Sequence, residues 1–290
     1  MKKTKRGGGL NIGSALAALA AKEGHALVQA LGMHQGHHGG IHETRRASRR
    51  LRSLLAFVAS ARGQREAEAL DRSLKKLTRS FSTLRDAHVA VRTARVLAGS
   101  DGTGLTPALL ELLEQRCANL LDAALEQDPG WQRRSDKAQH IVSTINSLDW
   151  QAISLASAKQ SLRHNIARMK KARRAAQELR TDDAFHRLRR RGREVRYQLE
   201  FLRKARHAAG LKKSYARHYA KRIKRLGLSI DRLGWRQDFQ VFRQALDQLP
   251  AHADVQTLRE ALAKKAVPSS RQPPLGAGDD SREATPSSMH

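Results

Sequence analysis

Two runs of cationic side chains carry the chemical interest of this sequence. His42, Arg45, Arg46, Arg49 and Arg52 recur as His186, Arg189, Arg190, Arg193 and Arg196 at a constant offset of 144 (186 minus 42). Arginine presents a planar fork of donors that matches phosphate oxygens, and histidine adds a donor whose charge changes near about pH 6.5. Such rows suit a grip on a string of anionic groups rather than the transfer of a group.

On a helix at about 100° per residue, with His42 at zero, Arg49 falls near 340°, Arg45 near 300° and Arg46 near 40°. Ile41, Leu51, Leu54, Leu55 and Val58 occupy the opposite side. The second run behaves alike, with His186, Arg189, Arg190 and Arg193 facing one way and Leu188, Val195, Leu199 and Leu202 the other. Most charged helix faces alternate in sign. These faces have no acid at i+4, apart from Glu200 beside Arg196, so the cations are expected to stand uncompensated. Arg163, Lys170 and Arg174 form a further stripe, as do Lys213, Arg217 and Lys221, the latter followed by Lys224 and Arg225. Cations one helical turn apart, at about 5–6 Å, suit a flexible chain of phosphates.

These faces must be positioned by helices. Apolar residues recur at three-and-four spacing in Leu70, Leu74, Leu77, Phe81 and Leu84, and again in Ile223, Leu226, Ile230 and Leu233. Gly36 to Gly40 and Gly63 divide expected helices over 13–32, 41–62 and 65–98. Thr106-Pro107 opens the next helix as an N-cap with proline at its first position, and Asp128-Pro129-Gly130 ends it. Thr181-Asp182-Asp183 caps another, and Leu249-Pro250 stops one near the end. Beyond the first repeated block, Leu74/Leu226, Phe81/Leu233, Asp86/Asp238 and Val89/Val241 match at an offset of 152 (238 minus 86). Two copies of one multi-helix unit explain both offsets. The expected fold is all-α, two helical bundles related by internal pseudo-two-fold symmetry. The domain spans 12–265, with halves at 12–148 and 149–265. A basic, glycine-rich segment, 1–11, precedes it, and a proline-rich tail, 266–290, follows; both read as disordered.

The chain has 290 residues with 55 Lys+Arg against 27 Asp+Glu, a formal charge of +28 that a bound polyanion would relieve. Cys117 is the single cysteine, which excludes an internal disulfide and fits a reducing compartment. Its neighbours Leu113, Leu120 and Leu121 make it a buried apolar residue rather than a nucleophile. No apolar run reaches the ~20 residues of a membrane span. Lys2, Lys3, Lys5 and Arg6 ahead of Ala15–Ala21 faintly resemble a signal peptide, but Gly7–Gly9, Asn11, Gly13 and Ser14 interrupt it. A cytoplasmic protein is expected.

The residues resemble the CHAD domain, the conserved histidine α-helical domain. The motifs that carry the likeness are His42…Arg45…Arg49-Arg50-Leu51-Arg52, Phe81-Ser82-Thr83-Leu84-Arg85-Asp86, His186…Arg189, Gly192-Arg193-Glu194-Val195-Arg196-Tyr197-Gln198-Leu199-Glu200 and Leu233-Gly234…Asp238. It covers about residues 12–250. The resemblance implies two symmetry-related helical bundles and a basic surface or cavity that binds inorganic polyphosphate. His42, Arg45, Arg49, Arg52, His186, Arg189, Arg193 and Arg196 are the ligand residues it implies. Phe81-Ser82 replaces the family's Leu-Gly, Arg46 an aliphatic residue, and Glu194 a base. Glu194 is placed to neutralise Arg190 or Arg191, while Asp86 and Asp238 are expected to cap helices or orient arginines. Relatives are often fused to a triphosphate-tunnel enzyme marked by Glu-x-Glu-x-Lys on a strand. Glu66-Ala67-Glu68-Ala69-Leu70 lacks that lysine, and Gly99–Gly104 lacks the Gly-Lys-Ser/Thr of a phosphate-binding loop. Binding without catalysis or cofactor, at polyphosphate granules, is the expectation.

Two other functions are open to this composition. The charge permits non-specific binding of DNA or RNA, although 4% aromatic residues make poor stacking platforms for single strands. His34, His37, His38 and His42 could attract a metal, but a glycine-rich setting without acids gives no supporting shell. Arginines around His42 and His186 would repel a cation, so no metal is expected there.

Overall fold

The computed structural model describes residues 11–33, 37–60, 64–98, 105–211, 214–250 and 253–264. Met1–Leu10 and the proline-rich tail, for which disorder was expected, lie outside them, as does Lys213. Among the described residues there are ten α-helices and no strand. They are α1 (Ile12–Leu31), α2 (His37–Ala59), α3 (Gln64–Arg79), α4 (Ser82–Ala98), α5 (Pro107–Gln127), α6 (Gln132–Asn146), α7 (Leu155–Leu179), α8 (Asp182–Ala208), α9 (Ser214–Asp247) and α10 (Ala253–Lys264). An all-α architecture is thus observed.

Local side-chain chemistry starts several of these helices. Thr106 and Thr181 accept from the backbone amides of Leu109 and Ala184, satisfying donors that helix ends leave unpaired. Asn11, left outside the domain by the sequence reading, does the same for α1 through Ser14. The expected helix over 65–98 is two helices, broken at Ser80–Phe81. Phe81 fits the apolar stripe of α3, so periodicity alone hid the break, yet its fully buried ring packs edge-on against Trp131 instead of continuing the rod. At positions 232–233, which the sequence offset of 152 matches to Ser80–Phe81, there is no break. Gly234 sits inside the 34-residue α9.

Two apolar clusters form the interior, and each draws on both halves of the sequence. The larger joins Leu16, Leu27, Leu51, Leu54, Leu74 and Phe81 to Leu162, Val195, Leu199 and Phe201. The smaller joins Val91, Ala94, Leu113 and Cys117 of α4 and α5 to Phe239, Phe242 and Leu258 of α9 and α10. Both clusters thus contain residues from either side of position 148.

A buried polar chain fixes α2, α7 and α8 in register. Asn165 donates to Gln198 Oε1 (3.0 Å), Gln198 Nε2 donates to Ser161 Oγ (3.3 Å), and Ser161 donates to the Ala56 carbonyl (2.8 Å). Gln198 is fully buried, where an unpaired amide would cost stability, so each group has its partner. This register decides which faces of α2 and α8 look at each other.

Candidate anion-binding cavity

The polar faces of α2 and α8 look into a common cavity of about 460 Å³, lined at its sides by α3, α4, α7 and α9. Ten arginine and lysine side chains line it, against three carboxylates, Glu68, Asp71 and Glu194. Of the residues expected to bind an anion, Arg45, Arg49, Arg52, His186, Arg189, Arg190 and Arg193 meet here.

Arg45 and Arg189 hold equivalent places. Arg45 Nη1 donates to the Thr78 carbonyl (2.8 Å), and Arg189 Nε donates to the Ile230 carbonyl (3.3 Å). Thr78 and Ile230 are themselves related by the offset of 152 read from the sequence (230 minus 78). Arg189 Nη1 also donates to Gln237 Oε1 at 2.8 Å. A Cβ on Gly234 would lie 2.9 Å from Arg189 Nη2, so glycine there makes room for the guanidinium. Burial and the neighbouring cations Arg85 and Arg49 depress the pKa of both arginines, to about 10 for Arg45.

Arg49 and Arg193 are the matched pair without such anchors. The Nε of each is buried and has no hydrogen-bond partner. Burial lowers the pKa of both, with Arg189, Arg49 and Arg85 adding repulsion at Arg193, and pushes Arg193 down to about 8. An arginine keeps its proton at neutral pH, so this pressure is felt as a cost in stability rather than as loss of charge.

Elsewhere, acids on the same helix and on a neighbouring one correct the expectation of uncompensated cations. Arg52 Nε is paired with Asp71 of α3 at 2.6 Å, and Lys75 shares that carboxylate. Arg46 pairs with Glu43 of its own helix at 3.2 Å, and Arg196 pairs at 3.0 Å with Glu200, the one acid that the helical spacing had placed beside it. A search for acids four residues ahead on the same helix cannot find i+3 partners or those on another helix. Glu194 pairs with Arg191 at 2.9 Å. Asp86 and Asp238 orient arginines: Arg85 lies between them at 2.6 and 3.3 Å, and Arg92 reaches Asp238 at 2.8 Å.

Other expected residues lie away from this cavity. His42 and Arg46 are exposed on α2, and Arg196 is turned toward Gly227 of α9. Arg163, Lys170 and Arg174 lie on the exposed face of α7, and Arg217 and Lys221 on that of α9. Lys221 lines a second hollow instead. Arg85, Arg168, Arg191, Lys75, Tyr197 and Gln237 line the cavity without having been singled out. Arg85 and Tyr197 stand inside the quoted motifs, which was the available signal. Arg168 had none, because its approach depends on how α7 packs on α8.

The surroundings of His42 and His186 disfavour the charged form of both. Burial lowers the His186 pKa, and Arg193, Arg190 and Arg189 outweigh the support of Gln237. Desolvation likewise lowers His42; Glu43 opposes this, while Arg49, Arg92 and Arg46 add to it. His38 stacks on His88 with centroids 4.3 Å apart, and its Nε2 lies 3.5 Å from Sγ of the buried Cys117. Among the described residues no three His, Cys, Asp or Glu side chains are grouped to hold a metal ion; His34 is outside them.

Comparison with known proteins agrees with the all-α fold. The CHAD domain family model matches residues 15–247. The crystal structure of the CHAD domain from the plant Ricinus communis is similar, with a TM-score of 0.64 and 26% sequence identity. That match covers 88% of this chain and 86% of the other. None of the curated proteins matches.

Proposed function

Because this chain belongs to the CHAD domain family, we propose that it holds inorganic polyphosphate in the cavity between α2 and α8 and performs no chemistry on it. The observation that carries this reading is the pair Arg49 and Arg193, two half-buried arginines whose Nε donors are buried and have no partner, in a cavity crowded with like charge. A buried unpaired cation is costly, and a chain of phosphates offers both the charge and the acceptors that offset it. Asp71 and Glu194 are tied up in ion pairs with Arg52, Lys75 and Arg191, which favours a site that holds its ligand over one that transforms it. The same reading puts the protein's work in the cytoplasm, at polyphosphate granules. Among the described residues no helix is long and apolar enough to cross a membrane.

Non-specific DNA or RNA binding through the outer basic faces is the competing reading, and salt separates the two. Bound polyphosphate is expected to survive at ionic strengths that displace duplex DNA and heparin, because ten cations converge on the half-buried cavity while those of the outer faces are dispersed and more fully screened. DNA displacing polyphosphate at every salt concentration would overturn the proposal.

Acidification gives opposite signs for the free and loaded protein. The folded-state pKa values of His42, His186 and His88 are all depressed, that of His88 to about 4. Their contribution to the stability of the free protein is therefore complete above the unfolded value, about 6.5, and is lost as pH falls toward the folded values. Polyphosphate, by contrast, favours the imidazolium at His186, so affinity is expected to rise as pH falls from 8 through the region below about 6.5. Titration calorimetry across that range checks this. An affinity independent of pH, identical for the protein and for His186→Asn, would remove His186 from the site.

A further inference from the structure

A second hollow of about 460 Å³ lies between α7 and α9, lined by Arg173 and by His218, Lys221, Arg222, Arg225, Leu226 and Ser229. No carboxylate lines it, and no ion pair of the described residues engages Arg173, Lys221, Arg222 or Arg225. This distinguishes it from the cavity, where three acids temper the charge.

The arrangement of α7 links the two. Its buried stripe runs through Ala158, Ser161, Leu162, Asn165, Ala172 and Ala176. At about 100° per residue, and with Ala158 at zero, this stripe lies within roughly 60° of that origin. Arg168, which enters the cavity, sits near about 280°, on one flank of the stripe, and Arg173, which enters the hollow, near about 60°, on the other. The two sites are therefore on opposite flanks of α7. Between them, around the outward arc, come Lys171 near about 220°, Arg174 near about 160° and Lys170 near about 120°. All five cations are exposed, and the segment from Arg168 to Arg174 contains no acid. Cations thus follow one another around the whole outward side of the helix, from one site to the other.

Resting on the assignment of polyphosphate to the cavity, we propose that a long polyphosphate chain leaves the cavity, crosses over α7 on Arg168, Lys171, Arg174 and Lys170, and ends its contact in the α7–α9 hollow. The path over the helix is roughly 16–19 Å, half the circumference of a helix about 10–12 Å across. Tripolyphosphate is too short to occupy both sites, whereas a long chain engages them together and gains from the effective concentration of the second.

The test compares tripolyphosphate with long-chain polyphosphate on the whole protein and on the triple variant Lys221→Gln/Arg222→Gln/Arg225→Gln, with circular dichroism confirming that the variant is folded. The variant is expected to bind tripolyphosphate within about twofold of the unmodified protein and to lose at least about tenfold in affinity for the long chain. Its salt dependence for the long chain should also be shallower, by about 0.7 per lost phosphate contact on the scale of single strands. An equal loss for both ligands would mean that only the general field of the protein had changed, and an unchanged long-chain affinity would mean that the hollow is not used. Either result overturns the path. Failure of the unmodified protein to bind either polyphosphate would instead overturn the assignment of the cavity, and the path with it.

Discussion

Replacing Arg49 and Arg193 together by methionine is expected to weaken polyphosphate binding by about two to four orders of magnitude, from two charge-assisted hydrogen-bonding groups worth about 1.5–3 kcal/mol each. The same change is expected to make the free protein more stable. Both guanidinium groups are held in a cavity where Arg85, Arg189 and each other repel them, and their Nε donors have nothing to bond. Each unsatisfied buried donor costs about 1–3 kcal/mol, and methionine fills similar space without that cost. For a domain of this size the gain appears as about 2–4 °C in Tm per kcal/mol. Binding and stability thus move in opposite directions, the signature of residues kept for a ligand rather than for the fold. Binding that survives the double substitution, or a free protein that loses several kcal/mol, would place the role of these arginines in packing.

One residue along, the expected outcome is reversed. The Arg50 side chain is 11% exposed and bonded to Glu23 of α1 at 2.8 Å and to Glu200 of α8 at 2.9 Å, with its guanidinium over the Phe201 ring at 4.6 Å. Burial alone would lower its pKa, but Glu23 and Glu200 more than offset this and raise it. Arg50→Met leaves two half-buried carboxylates at the junction of three helices, and removal of one partner from such a set costs about 3–5 kcal/mol. Urea denaturation should show that loss. Replacing Glu23 and Glu200 by methionine in the same molecule should restore most of it, because an apolar set of similar volume is often as stable as the ion triad. A loss below about 1 kcal/mol in Arg50→Met, the range of an exposed pair, would contradict the buried-triad description.

Arg49 and Arg50 also show what sequence could and could not reveal. The face of α2 that Arg49 occupies followed from helical periodicity, and its matched copy at Arg193 followed from the offset of 144 (193 minus 49). Starts of helices at Pro107 and Asp182 were legible because the caps, Thr106 and Thr181, act within three residues. Partners on other helices were not. Nothing in the spacing of α2 shows that Asp71 claims Arg52, that Glu23 and Glu200 converge on Arg50, or that Arg168 turns into the cavity while Arg163 stays outside. The break at Ser80–Phe81 and its absence at Gly234 have the same origin. An apolar stripe cannot tell a rod from two rods whose faces align, and a glycine inside a helix is tolerated where a guanidinium needs its space. Local chemistry was readable, and the pairing of distant helices was not.

A crystal structure of the protein with long-chain polyphosphate is the most direct test of the account. Phosphate oxygens are expected within hydrogen-bond distance, about 2.7–3.2 Å, of Nε of both Arg49 and Arg193, on a chain continuing past Arg168. A saturated complex in which the ligand sits only on outer faces, with those two Nε atoms still facing no acceptor, would contradict the claim that the cavity is built for it.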